Sequence, residues 1–581
     1  MIVDFISTFA QNNKGDTKGT IWATKNIDPE LNPGEINISK QFGYSTNETD
    51  QSNMTEAPVA FTFSAVDGSA RYFGIIGTRV WRTSSDDPNG PWTVATGSGT
   101  GSTVDSDIIA FNAKIYLADS SGLQARDSLS FSNLQALSDT PHSMCIYANR
   151  LYVTDALFKI YSMNTAETVA TTGSNTMNLN TLTGLNQVIT KIQPVSDGIW
   201  IATLFTDSTG GEMIKWDGVT ANIASERYRL KRGALSMCIK DDRPYIIDSL
   251  GIFRAFDGTT FAEVGRLPIL DETLENYNND SNDRWIHPNG MIEVNDEIYV
   301  LAKNTLEDSG EDPIERFPSG IWAYNKNYGV YHKYSFADID VADATPVVKD
   351  FGASELADVG ALFKSDFTGG STVARADESE VLAGVTYYSD ATTEKSAVGI
   401  TNVINDIQKG GYFVTAQLTS ENFEETWKEI IVVHDRLANS TDRIILKYRT
   451  YESTPIYGTG TWTEDTRFIS GTDLSSFEGG DEIEILRGTG SGECLTVDHV
   501  SGATIIHLKE NFLSGMTGTL RFRAQKWKDV GIQSNQDIQF IRRTLGEKGA
   551  WIQFKVFMVG TGKSPQLLKL ICASTPAEKT K

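Results

Sequence analysis

Cysteine is scarce in this sequence: Cys145, Cys238, Cys494 and Cys572 are the four in 581 residues, with no CxxC pair and no histidine at metal-ligand spacing. That scarcity argues against a disulfide scaffold or a zinc module and predicts buried, inert thiols. Long apolar runs are missing too. No window approaches the roughly 18 continuous apolar residues of a spanning helix, and Met1 to Thr24 lacks the basic start and apolar stretch of a secretory signal. The expectation is a chain made in a cytoplasm and not inserted in a membrane. Basic residues are outnumbered, 51 against 75 acidic, for a formal charge of -24 spread along the chain. A field of that sign repels phosphate backbones, so tight nucleic-acid binding by counterion release is not expected, although passing contact with DNA is compatible with it.

What is present points to strands. The chain has 50 glycines, 10% aromatic and 40% hydrophobic residues, a composition that suits many short strands joined by turns. Its length exceeds what one core usually organises, which predicts two or three domains.

Six segments share one pattern: "YFGIIGTRVWRTS", "DIIAFNAKIYLADS", "SMCIYANRLYVTDA", "ITKIQPVSDGIWIATL", "SMCIKDDRPYIIDS" and "GMIEVNDEIYVLAK". Each reads as an apolar strand, a polar turn and a strand carrying an aromatic: Trp81, Tyr116, Tyr152, Trp200, Tyr245 and Tyr299, spaced 35, 36, 48, 45 and 54 residues apart. One small four-stranded sheet per repeat is the period of a β-propeller. Outer strands are legible in "EMIKWDGVTA", "GIFRAFDGTTF" and "GIWAYNKNYGVYHKYSF", and in the first two Asp-Gly supplies positive backbone angles. Six blades are countable and Gly360 to Tyr388 supplies a degraded seventh, so seven blades are favoured, with six the alternative. Cys145 and Cys238 occupy equivalent "SMCI" positions, which implies a packing role.

The expected domains are an extended arm (1–57) draped over the propeller or a neighbouring subunit, the propeller (58–393), a β-sandwich (394–460 and 527–581) and a small barrel inserted at 461–526. The sandwich rests on the alternating segments "GYFVTAQLT", "TWKEIIVVHD", "DRIILKYRTYE" and "WIQFKVFMVG". The barrel rests on "GGDEIEILRGTGSGECLTVDHVSGATIIHLKENF", read as three strands with glycine turns. Insertion into a host loop costs little closure entropy.

Motifs that could carry chemistry mostly dissolve on inspection. "MVGTGKSPQLLKL" spells part of a phosphate loop, but the required first glycine is Phe557, and Pro565 and a strand-like run follow, so "GTGKSP" reads as a hairpin loop. "SSDDPNGPWTV" is an imperfect Asp box, better read as a turn. "NYNNDSNDR" and "EDSGEDP" are oxygen-rich but lack calcium-loop spacing. "GTGSG" at 488–492 has no lysine partner. His142, His287, His332, His434, His499 and His507 show no HxH or HExxH and no nearby GxSxG. No catalytic, cofactor-binding or metal residue is assigned, and a non-enzymatic protein without cofactors is expected.

The order of arm, propeller and sandwich with an inserted barrel resembles virion proteins of tailed bacteriophages. The likeness is carried by "TWKEIIVVHD", "IILKYRT", "TWTE" and "WIQFKVFMVGTGKSPQLLKLICAST", with its Ser-Pro before the last apolar strand. "GDEIEILRGTGSGECLTVDHVSG" is similar to barrels that decorate phage tail proteins, and "KNIDPELNPGEINIS" to the arm of tail hub or nozzle proteins. The resemblance implies a structural protein of the virion tail: a homo-oligomeric nozzle or hub ring around the DNA exit channel, touching other tail subunits, with an acidic lining from which DNA is repelled. Two other readings stand beside it, a virion decoration protein binding a host receptor or glycan, and a propeller glycosidase.

Overall fold

The computed structural model describes residues 2–3, 21–29, 36–39, 42–44, 54–88 except 55 and 67, 91–95, 106–126, 131–137, 142–155, 158–183, 187–206, 210–268, 285–303, 318–336, 356–365, 380–388, 394–401, 410–419 except 417, 425–450 except 441, 456–463, 467–509 except 480 and 489–493, 518–525, 528–549, 551–560 and 564–576. Seven antiparallel sheets follow one another along the chain. Their inner strands are Ala60–Ser64, Asp107–Phe111, Met144–Tyr147, Gln187–Val195, Ser236–Lys240, Met291–Val294 and Leu356–Ser365. Each packs beside the next and the last returns to the first, so the ring is a seven-bladed propeller. The six-blade alternative is excluded.

Tight turns set the hairpins between inner and second strands. Asn112 and Ala113, Ala148 and Asn149, and Asp241 and Asp242 all have positive φ, the two-residue turn whose twist matches that of paired strands. The Asp-Gly turns work differently. Asp257 caps its loop by accepting from the amides of Thr259 and Thr260, both at 2.8 Å, while Gly258 takes the positive φ of 100°. Five of the six anchor aromatics are buried and Tyr245 is half-buried, but Trp81 lies on the third strand of blade 1 and the other five on second strands. That repeat was aligned one strand late, because successive hairpins of a blade look alike in sequence. Cys145 and Cys238 are both buried on inner strands, opposite Tyr152 and Tyr245, and burial pushes both thiols well above their ordinary pKa.

Blade 7 is assembled from two distant parts of the chain. Leu356–Ser365, Glu380–Tyr388 and Glu394–Thr401 supply three strands, and Phe42–Tyr44 of the arm adds the outermost, with Tyr44 opposite Gly399. The expected boundary after 393 therefore cuts a propeller sheet, since alternation identifies a strand but not the sheet it joins. Blade 7 meets blade 1 through the Pro58 carbonyl, which accepts from Ala361 N at 2.9 Å. A Cβ on Gly360 or Gly384 would lie 1.8 or 1.9 Å from that oxygen, so both positions require glycine.

The last third is a two-sheet sandwich. One sheet orders Ile2–Val3, Leu567–Pro576, Glu425–His434 and Phe540–Gly549; the other has Ile21–Lys25, Gly410–Thr415, Trp551–Val559, Arg443–Arg449 and Lys528–Gln533, with Leu418–Thr419 beside it. The arm thus contributes a strand to each sandwich sheet as well as to blade 7. The strands on either side of "GTGKSP" do not form a hairpin: Trp551–Val559 and Leu567–Pro576 belong to opposite sheets. Ile38 N donates to the Ser564 hydroxyl at 2.7 Å, tying the arm to the end of that segment. The inserted unit is a closed barrel of six strands, from Ile456–Trp462 to Gly518–Gln525, where three were read.

One apolar cluster runs without a break from Tyr299 and Ile321 of blade 6 and Val385 of blade 7, through Ile21 and Ile36 of the arm, to Trp427, Phe554 and Leu570 of the sandwich. Propeller and sandwich therefore share a core. Among the described residues Leu179–Thr183 is the only α-helix, and no helix is long and apolar enough to cross a membrane.

Candidate functional site

The end of the propeller where the inner strands begin is closed by side chains. Lys191 of blade 4 donates to Asn289 Oδ1 at the entry to blade 6, and its Nζ lies 3.8 Å from Asp107 Oδ2 of blade 2. Asn289 Nδ2 in turn donates 3.0 Å to the Val59 carbonyl at the entry to blade 1. None of these linked blades are neighbours in the ring, so the contacts must cross the axis. All three residues are at most 9% exposed. Burial pushes the Asp107 carboxyl above its usual value, opposed by Lys191 and by the amides of Met144 and Ile108 at 2.8 and 2.9 Å. Donors and acceptors are spent on one another, which makes this knot a plug and a poor reaction centre.

At the opposite end, blades 5 and 6 enclose a cleft of about 550 Å³. Antiparallel strands alternate direction, so the turns after inner strands and after third strands lie together at this end. Blade 5 supplies Lys240, Asp241, Arg243 and Tyr245; blade 6 supplies Asp296, Ile298, Tyr324, Asn325, Lys326 and Asn327. Tyr245 and Tyr324 form the floor with ring centres 6.4 Å apart, and Phe253 stacks under Tyr324 at 5.7 Å. Burial and then Tyr245 raise the Tyr324 hydroxyl above its ordinary pKa, so it stays protonated near neutrality. Lys240 reaches Asp296 at 3.2 Å, but Asp296 is 95% exposed and the pair is weak. Arg243 and Lys326 are exposed and have no ion-pair partner among the described residues.

A third polar cluster fastens the arm to blade 6. Asn26, at a positive φ of 55°, accepts from Ser335 N and Oγ at 2.7 Å each, donates from its side chain to Gly410 O at 3.1 Å and from its backbone to His332 Nδ1 at 3.2 Å. Lys333 beside it pairs with Glu297 and lies 3.4 Å from Asp28. Tyr331 and Tyr299 hydroxyls also donate to Glu297, the latter at 3.0 Å. Burial alone would lower the Lys333 pKa, yet Asp28, Tyr299 and Glu297 outweigh it and hold it well above normal. Burial keeps His332 neutral, its pKa down at about 3.

The histidines do not converge. His142 and His287 lie near the axial knot, with His142 Nδ1 donating to Thr154 O at 2.9 Å and His287 Nδ1 accepting from Asn289 N at 3.0 Å. His434 donates to the Asp435 carbonyl at 2.7 Å, and His499 stacks on His507 at 4.1 Å on the barrel. Among the described residues no group of three His, Cys, Asp or Glu side chains is placed to hold a metal. The Asp-box-like segment is the loop between the third and outer strands of blade 1, where Trp92 Nε1 donates to Pro88 O at 3.1 Å. Both oxygen-rich loops, 276–284 and 307–313, and residues 489–492 of "GTGSG" lie outside the described residues. The axial knot and the cleft were missed in sequence. A usable signal for the cleft existed in the basic turns "DDR" and "NKN" of successive repeats.

No family model matches the chain, and no curated protein matches it. Solved structures do. The Saccharomyces cerevisiae Sqt1 structure is 10% identical with a TM-score of 0.35, over 60% of this chain and 96% of that one. The WD40 β-propeller domain of Doa1 is 9% identical at a TM-score of 0.35, over 60% and 94%. YCF48 bound to D1 peptide is 10% identical at 0.34, over 60% and 94%. Likeness this distant carries no function, and the propeller assignment rests on the ring of sheets itself.

Proposed function

We propose that the chain is a structural, non-enzymatic subunit of a bacteriophage tail, acting as a nozzle or hub ring around the path of the DNA. The observation that carries this reading is the stitching of the molecule into one stiff block, with a single arm completing blade 7 and both sandwich sheets. A ring under load during DNA ejection needs subunits whose domains do not hinge. The propeller axis is plugged by Lys191, Asp107 and Asn289, so a DNA channel has to lie between copies. A net charge of -24 suits a wall to which a duplex must not adhere.

The decisive measurement is the mass and symmetry of the purified protein, by mass photometry and electron microscopy, together with its presence in virions. A closed homo-oligomeric ring found in tails is the expected result; a monomer at all concentrations and absent from virions overturns it. The cleft favours a second reading, a decoration protein holding a host glycan. A glycosidase is less well supported: the cleft carboxylates are Asp241 and Asp296, and both are exposed, whereas such chemistry uses a buried general acid.

A further inference from the structure

We propose that the cleft between blades 5 and 6 binds a carboxylated saccharide. The inference develops the glycan reading and does not need the ring reading, which is tested separately by mass. Four features converge. The lining holds three cations, Lys240, Arg243 and Lys326, against two carboxylates, Asp241 and Asp296, a balance of +1 on a chain of net -24. Asp296 faces Lys240 in a weak, exposed pair, and the Arg243 fork and the Lys326 ammonium remain available to an incoming carboxylate, which a guanidinium grips with two parallel hydrogen bonds. The floor is amphipathic: half-buried Tyr245 and Tyr324 offer ring surface to the apolar face of a sugar and hydroxyls to its polar rim. Exposed Asn327 adds an amide group, in a turn fixed by its backbone N donating to Asn325 Oδ1 at 2.7 Å. At about 550 Å³ the volume is that of a small-ligand site.

A nucleic-acid strand has similar chemistry and fits less well. The two floor rings are tilted 41° from each other, which provides no parallel platform for successive bases. One charge per phosphate is also a denser anion than a local balance of +1 within an acidic protein favours.

The test uses the full-length protein with tetragalacturonate, N-acetylneuraminic acid, neutral cellotetraose and octathymidylate as probes, by calorimetry and ligand-observed NMR. Saturable binding of at least one acidic sugar is expected, weakened about tenfold or more by Arg243→Ala and by Lys326→Ala and weakened by added salt. Both residues are exposed, so an unchanged melting temperature certifies the variants. Failure of both acidic sugars, equal binding of cellotetraose, or binding that survives both substitutions overturns the proposal. Tighter binding of octathymidylate than of either acidic sugar also overturns it, in favour of a nucleic-acid site.

Discussion

The seven blades and the joints around them are both buried β-structure, yet they are held in different ways. Within the propeller, adjacent sheets pack through recurring aromatic and aliphatic side chains; Trp200 meets Phe256 and Phe261 of the next blade at 5.1 and 5.6 Å. The joints depend on single buried polar groups, Lys333 with Glu297 and Asp28 and Lys191 with Asp107 and Asn289, and the inserted barrel holds one such pair of its own, Arg523 with Glu484 on adjacent strands. Apolar packing spreads its free energy over many contacts, so one loss is partly absorbed. A buried ion pair concentrates it, and removing one partner strands a charge in low dielectric. The blades should therefore tolerate substitution that the joints do not.

The largest effect should come at the arm. Lys333→Met would leave Glu297 and Asp28 buried with their cation gone, a loss of about 3–5 kcal/mol. Chemical denaturation of the purified variant checks it; a change below about 1 kcal/mol would mean the cluster is not the fastening inferred here. Lys191→Met at the axis should cost less, about 2–3 kcal/mol, because Asp107 keeps two backbone donors and burial already favours its protonated form. Adding Asp107→Asn to Lys191→Met should restore part of the loss, which a double-mutant cycle would show.

Acid should open the joints before the blades. His332 has a folded pKa of about 3 against an ordinary 6.5, so the unfolded chain binds its proton first as the pH falls. Its contribution is intact above pH 6.5 and drains between 6.5 and 3, by up to about 1.4 kcal/mol per pH unit. Glu484 enters lower. Burial would raise it, but Arg523, Lys555 and Lys25 prevail and hold it at about 2, so its contribution is lost only between 4.5 and 2. Melting temperature against pH should fall from 6.5 downward, and His332→Gln should flatten that slope between 6.5 and 3, leaving only the Glu484 contribution between 4.5 and 2.

The same contrast explains what could be read from sequence. Repeats announce themselves: the aromatic anchors and polar turns recur and make six blades countable with a degraded seventh, while alternation and glycine turns mark the sandwich and the inserted barrel. The joints do not recur. Nothing around Asn26, Lys191 or Asn289 separates them from surface residues until blades far apart in sequence are brought together. Phe42–Tyr44 is too short to signal a strand, and it pairs with residues more than 350 positions away. The cleft lay between these cases: its basic residues sit in turns the repeat marks, but DDR follows an inner strand and NKN a third strand, and their convergence needs two blades side by side.

Two equivalent glycines offer the finest test of tolerance within the propeller. Gly218 and Gly258 follow the aspartates of the WDG and FDG turns with φ of 77° and 100°. A methyl group on Gly258 would touch nothing within 4 Å, so Gly258→Ala should cost only the backbone term, about 1 kcal/mol. On Gly218 it would lie 2.9 Å from the Tyr147 ring of blade 3, and Tyr152 already donates to the Gly218 carbonyl at 2.8 Å. Gly218→Ala should therefore cost about 1 kcal/mol more, if Tyr147 cannot turn aside. Equal melting temperatures for the two variants would show that the half-exposed Tyr147 yields, and that even a contact between blades is softer than the joints around them.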